Sequence, residues 1–138
     1  MSTFVPRFKK RHAMTYEKLL FSETAITNGI SNQPVSMEII RNLQQLQDVL
    51  SSLELLLGVE ICINSGYRCP ELNALVGGVY NSYHLLGLAA DIRVENSGRC
   101  TLTDLKNLCK ELRKTRLSEV VIHDTYVHIA VKPYYSPY

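Results

Sequence analysis

Two residues seven positions apart, His84 and Asp91, constrain the fold more than anything else in the chain. On a helix, that separation puts one side chain two turns beyond the other; on a strand, it puts them on opposite faces. They meet only if a loop delivers the histidine beside the strand that carries the carboxylate. Gly87 permits such a turn. Leu88 to Val94 reads as the strand, with Leu88, Ala90, Ile92 and Val94 on one side and Ala89, Asp91 and Arg93 on the other. Asp91 therefore faces away from the apolar side, next to small alanines, which suits a cleft as well as plain solvent. A third residue, His128, lies in Tyr126 to Val131, where Tyr126, His128 and Ala130 share a face opposite Val127, Ile129 and Val131. A lone strand histidine is usually structural. Three such side chains together read as His84, Asp91 and His128 converging on one zinc ion. Two imidazoles and a carboxylate leave a fourth tetrahedral position for water, the layout of a catalytic site.

The rest of the chain supplies a scaffold. Residues 1–13 are polar and basic without a period and read as a flexible arm. Thr15 to Ile30 reads as a short helix or turn, broken at Asn28-Gly29. From Met37, the residues Ile39, Ile40, Leu43, Leu46, Val49, Leu50 and Leu53 recur at helical spacing. Ser36 is the expected N-cap and Gly58 the end. Val59 to Ile63 alternates like a half-buried strand, and Asn64-Ser65-Gly66 breaks it. Arg68 then sits just past a strand end, where a rigid base holds functional side chains. Glu71 to Leu75 reads as about one helical turn, and Gly77-Gly78 as another break. Thr101 to Asp104 opens a second long helix with Leu105, Leu108, Cys109 and Leu112 on its buried stripe. Its basic end, Arg113 to Arg116, suits the helix dipole without invoking an anionic partner. Glu119 to Ile122 and Tyr126 to Val131 read as a hairpin around His123-Asp124-Thr125. Residues 133–138, with two prolines and three tyrosines, form a tail.

Composition narrows the function classes. At 138 residues and 46% apolar content, the chain reads as one globular domain, over 14–132, with a substantial core. A net charge of +2 argues against a nucleic-acid partner. No stretch is apolar enough for membrane insertion, and the basic residues Arg7 to Arg11 precede no apolar run. The expectation is a monomer made and kept in the cytoplasm, acting at the cell wall only if released, as in phage lysis. The four cysteines form no Cys-x-x-Cys pair and read as small packed side chains. Cys69, beside Arg68, is the one whose thiolate a neighbouring charge would favour.

The motif Ser82-x-His84-x-x-Gly87-x-Ala89-x-Asp91, followed by Tyr126-x-His128, resembles the signature of the zinc D,D-peptidases of peptidoglycan, the M15 peptidases. Ser65-Gly66-Tyr67-Arg68, Asn73, Gly77-Gly78 and Asn32-x-Pro34 are similar to a subgroup of small phage and bacterial members. The resemblance runs from about Ser22 to Val131. It implies an α+β fold, a small antiparallel sheet with helices on one side, shared with the hedgehog signalling domain. It also implies zinc on His84, Asp91 and His128, and a substrate that is a D-amino-acid-containing peptide of peptidoglycan. Arg68 would hold the oxyanion or a substrate carboxylate, and Ser82, Tyr67, Asn73 and Tyr126 would line the substrate site or support the ligands.

One part departs from the family pattern. These peptidases place a Glu or Asp base three residues before the last histidine, and here that position is Thr125. Asp124 and His123 are the candidates to replace it. If neither serves, the fold becomes a zinc-containing binding module for wall peptide or a protein partner. A metal-free structural domain is the remaining alternative.

Overall fold

The computed structural model describes residues 14–133; the expected arm, 1–13, and the tail beyond Pro133 lie outside the described residues. Two short helices, α1 (Tyr16–Leu20) and α2 (Glu23–Thr27), lead into the long helix α3 (Met37–Leu57). Strand β1 (Cys62–Ser65), helix α4 (Pro70–Leu75) and a 3-10 turn (Tyr83–Leu86) follow. Then come β2 (Ala89–Arg93), α5 (Leu102–Leu112), β3 (Leu117–Ile122) and β4 (Val127–Val131). The strands form one antiparallel sheet in the order β1-β2-β4-β3. The fold is α+β, as the sequence implies.

The helices begin where hydroxyl side chains can satisfy their first amides. Ser36 Oγ accepts from the Ile39 amide at the start of α3, Ser22 does the same for α2, and Thr101 forms a reciprocal capping box with Asp104 on α5. Such caps contribute about 1 kcal/mol each. Gly58, in the left-handed conformation, ends α3 as expected. The buried stripe of α3, with Leu43, Leu46, Leu50 and Leu53 all inaccessible, joins the core made by Ile92, Val127, Ile129 and Val131 of the sheet. Replacing one of those leucines by alanine costs about 2–5 kcal/mol.

Register divides the sheet into two faces. Ala90 pairs with Ile129 and Ile92 with Val127 on the core side, whereas Asp91 pairs with His128 on the other. Val121 pairs in turn with His128. The open face therefore carries the polar residues that the alternation of β2 and β4 predicts.

β1 begins three residues later than the alternation of Val59 to Ile63 suggests. Glu54, on the last turn of α3, explains the shift. Its carboxylate accepts from the amides of Ile61 and Met14 at 2.9 and 3.1 Å, which holds the segment after Gly58 against the helix. β1 also continues through Ser65 rather than breaking at Asn64, because a bulge there absorbs one residue between the Ile63–Ile92 and Ser65–Asp91 pairs. All four cysteines are free thiols; Cys69, Cys100 and Cys109 are buried. Cys109 is sunk deepest, and burial pushes its thiol up to about 12. Among the described residues, no helix is long and apolar enough to cross a membrane.

Candidate metal centre

His84, Asp91 and His128 come from three separate elements and meet on the open face of the sheet. One potential ligand atom from each lies within 4.8 Å of the other two. Asp91 Oδ1 is 3.4 Å from His84 Nε2 and 2.9 Å from His128 Nδ1, and the two imidazole centroids are 5.3 Å apart. Donors bound to one tetrahedral zinc at about 2.0–2.1 Å stand roughly 3.4 Å from one another. The observed spacings need only small side-chain adjustments to reach that geometry.

Each donor is aimed by what lies behind it. His84, 3% exposed, sits in the 3-10 turn capped by Ser82, whose hydroxyl accepts from the His84 amide. Its Nδ1–H donates to the Gly66 carbonyl at 2.7 Å. A carbonyl can only accept, so Nδ1 carries a proton, and Nε2 is the nitrogen turned towards Asp91. The Arg68 amide donates back to the His84 carbonyl at 3.1 Å, so the 3-10 turn and the loop after β1 are tied twice. Asn42 of α3 fixes the far end of the turn by donating to the Leu86 carbonyl. At Gly66 a Cβ would lie 2.4 Å from the Leu19 carbonyl oxygen. Only glycine lets the loop approach α1 closely enough to present its own carbonyl to His84.

His128 is held differently. Nδ1 meets Asp91 Oδ1, and Nε2 meets Glu119 Oε1, also at 2.9 Å. Both nitrogens face acceptors, an arrangement that favours the protonated ring. The hydrogen bond to Asp91 accordingly raises the His128 pKa, with a further contribution from Glu119, against the opposing effect of burial. Burial disfavours the Asp91 carboxylate, but hydrogen bonds from His128 and His84 together with their charges outweigh it. The carboxyl is held well below its ordinary range. Asp91 Oδ2 turns to Arg68 Nη2 at 3.8 Å, which leaves Oδ1 for the imidazole side.

Arg68 links this cluster to a neighbouring cavity of about 380 Å³ lined by Ser22, Thr24, Ser65, Arg68, Gly77 and Gly78, among others. Its Nε donates to Ser65 Oγ at 3.1 Å and its Nη1 to Asn73 Oδ1 at 2.8 Å. Asn73 is itself buried and donates to the Val79 carbonyl. Burial pulls the Arg68 pKa down, opposed by Asp91 and Tyr126, but a guanidinium remains charged at any ordinary pH. Asn32 is buried and fully bonded: it donates to the Leu20 and Tyr67 carbonyls and accepts from the Cys69 amide. It pins the segment that carries Gly66 and Arg68.

The remaining residues singled out in the sequence divide. Tyr67 is buried in the core, and its backbone anchors the loop to Leu19. His123 stacks on Tyr126, with ring centroids 4.3 Å apart and planes 11° from parallel. Asp124 is exposed, and its backbone carbonyl accepts from Lys106 Nζ. Among the described residues, neither His123 nor Asp124 hydrogen-bonds to the three clustered side chains. The carboxylate that does meet them, Glu119, was not singled out in the sequence. Counting register back from the hairpin turn, through the pairs Ile122–Val127 and Val121–His128, places it on the histidine's face one step further along β3.

Compared with models of known protein families, residues 12–130 match the one described as Peptidase M15. No curated protein matches the chain.

Proposed function

The chain belongs to the peptidase M15 family, and from that premise we propose a zinc-dependent enzyme that hydrolyses D-amino-acid-containing peptide bonds of bacterial peptidoglycan. It would act either as a carboxypeptidase or as an endopeptidase of the endolysin kind. The observation that carries this reading is the convergence of His84, Asp91 and His128 with one donor atom of each turned inwards. Two imidazoles and a carboxylate are a zinc donor set. The fixed proton on His84 Nδ1 leaves Nε2 as its donor, and Glu119 on His128 Nε2 leaves Nδ1. Bound there, zinc would supply Lewis acidity, polarising an amide carbonyl and acidifying water into the neutral range.

The protein's own groups supply the rest. Arg68, clamped by Ser65 and Asn73, presents a pre-oriented guanidinium between the metal cluster and the cavity. From there it would bind the developing oxyanion or a substrate carboxylate. For the base, Asp124 and His123, in the turn between β3 and β4, are the two candidates.

A second reading follows from one observation, the absence of a hydrogen bond from His123 or Asp124 to the cluster among the described residues. On that reading the protein binds metal and wall peptide but turns over weakly. Digestion of purified peptidoglycan, with products identified by mass, separates the two. The enzyme reading expects D-amino-acid-containing fragments that vanish with chelator and return with zinc. Stoichiometric zinc with no products would favour the binding module, and protein purified without affinity for zinc would end both.

A further inference from the structure

We infer that Glu119 is a positioning residue of the metal centre: it holds the Nε2 proton of His128 so that Nδ1 is the nitrogen offered to the ion. The inference rests on the metal-ligand reading given under Proposed function. Glu119 Oε1 lies 2.9 Å from Nε2, while Nδ1 of the same ring points to Asp91 Oδ1. The carboxylate is thus on the far side of the imidazole from the other two donors. Placed there, it does not act on a reacting water. It fixes the ring's rotation and tautomer and increases the basicity of the ligating nitrogen.

The backbone of β3 supports this independently. Glu119 pairs with Ala130, but the next pair is Leu117 with Val131, so Ser118 is an extra residue. In a regular strand Leu117 and Glu119 would point to the same face. The bulge lets Leu117 stay fully buried in the core while Glu119 turns to the face of His128. Ser118 Oγ donates to the Ala130 carbonyl at 3.4 Å and covers a carbonyl beside the irregularity. The core side of β3 thus keeps its leucine, and the open side gains a carboxylate at the remote nitrogen of a ligand.

Glu119→Ala and Glu119→Gln separate positioning from bulk structure. Zinc affinity by chelator competition should fall about 10–100-fold in Glu119→Ala and stay close to wild type in Glu119→Gln, whose amide oxygen still accepts from Nε2–H. Ring-nitrogen chemical shifts of zinc-loaded protein should show Nδ1-ligated, Nε2-protonated His128 in wild type and Glu119→Gln, and a mixture of coordination modes in Glu119→Ala. Melting of the metal-free variants should fall only slightly, because the Glu119 side chain is 42% exposed. Glu119→Ala that binds zinc within about threefold of wild type, with unchanged His128 shifts, overturns the inference and leaves the metal site standing. Wild-type protein that takes up no zinc overturns the metal-site reading itself, and this inference with it.

Discussion

The two imidazoles of the candidate centre are held by different kinds of support. His84 is almost fully buried and hangs from main chain: its ring donates to the carbonyl of Gly66, and its own carbonyl accepts from Arg68. His128 stands on the open face of the sheet and is steadied by a side chain, Glu119, on the neighbouring strand. The first anchor belongs to the fold, since losing it means moving the loop between β1 and α4. The second can be altered without touching the core. Affinity and stability should therefore be coupled on the His84 side and separable on the His128 side.

Removing either imidazole should give the largest effect. His84→Ala or His128→Ala takes one of three protein donors from a site whose total binding free energy, by analogy with structural zinc, is roughly 10–16 kcal/mol. We expect zinc affinity to drop by a factor of about a hundred or more, and peptidoglycan digestion to fall to background. Isothermal titration of either variant at wild-type affinity would remove that residue from the ligand set.

Gly66→Ala tests the main-chain anchor and should rank next. The added Cβ would overlap the Leu19 carbonyl, so the loop must retreat and take its hydrogen-bond acceptor away from His84. Overpacking of this kind costs about 1–3 kcal/mol, a loss of several degrees in Tm, and metal affinity should fall with it. Loss of affinity at an unchanged Tm would show that the two anchors are alike after all.

The smallest effect is one of pH on the metal-free protein. The Asp91 pKa is lowered from its ordinary 3.8, so its stabilising contribution is present above that value and fades as pH falls through the folded pKa. The His128 pKa is raised from 6.5, so its contribution is full below that value and fades as pH rises through the folded pKa. The pair should therefore help most between 3.8 and 6.5, and melting of chelated protein should weaken on either side. Zinc needs the Nδ1 proton gone, so the gain in Tm on adding zinc should grow from about pH 6 to pH 8. A gain that shrinks over that range would contradict this use of His128.

Much of this arrangement is legible in the residues. Ser36 and Gly58 mark the ends of α3 because caps act within one turn. The alternation of β2 and β4 puts Asp91 and His128 on the face opposite Ile92, Val127 and Ile129 because side chains reverse at every residue of a strand. The bulges at Asn64 and Ser118 are not legible in that way. An extra residue in one strand is defined only against the partner strand, and each bulge shifts the alternation by one place. That is why the alternation stops β1 before Ser65; the face of Glu119, on the turn side of the second bulge, follows only once the hairpin register is known.

The sequence by itself determined the helices, the strand faces and the identities of the three candidate ligands, because these follow from periodicity and from chemistry carried by single residues. Tertiary structure decided which nitrogen of each histidine is turned to Asp91, which guanidinium stands beside that carboxylate, and which carboxylate lies behind His128. Those depend on hydrogen bonds between groups up to 37 residues apart, and no local pattern encodes a partner at that distance.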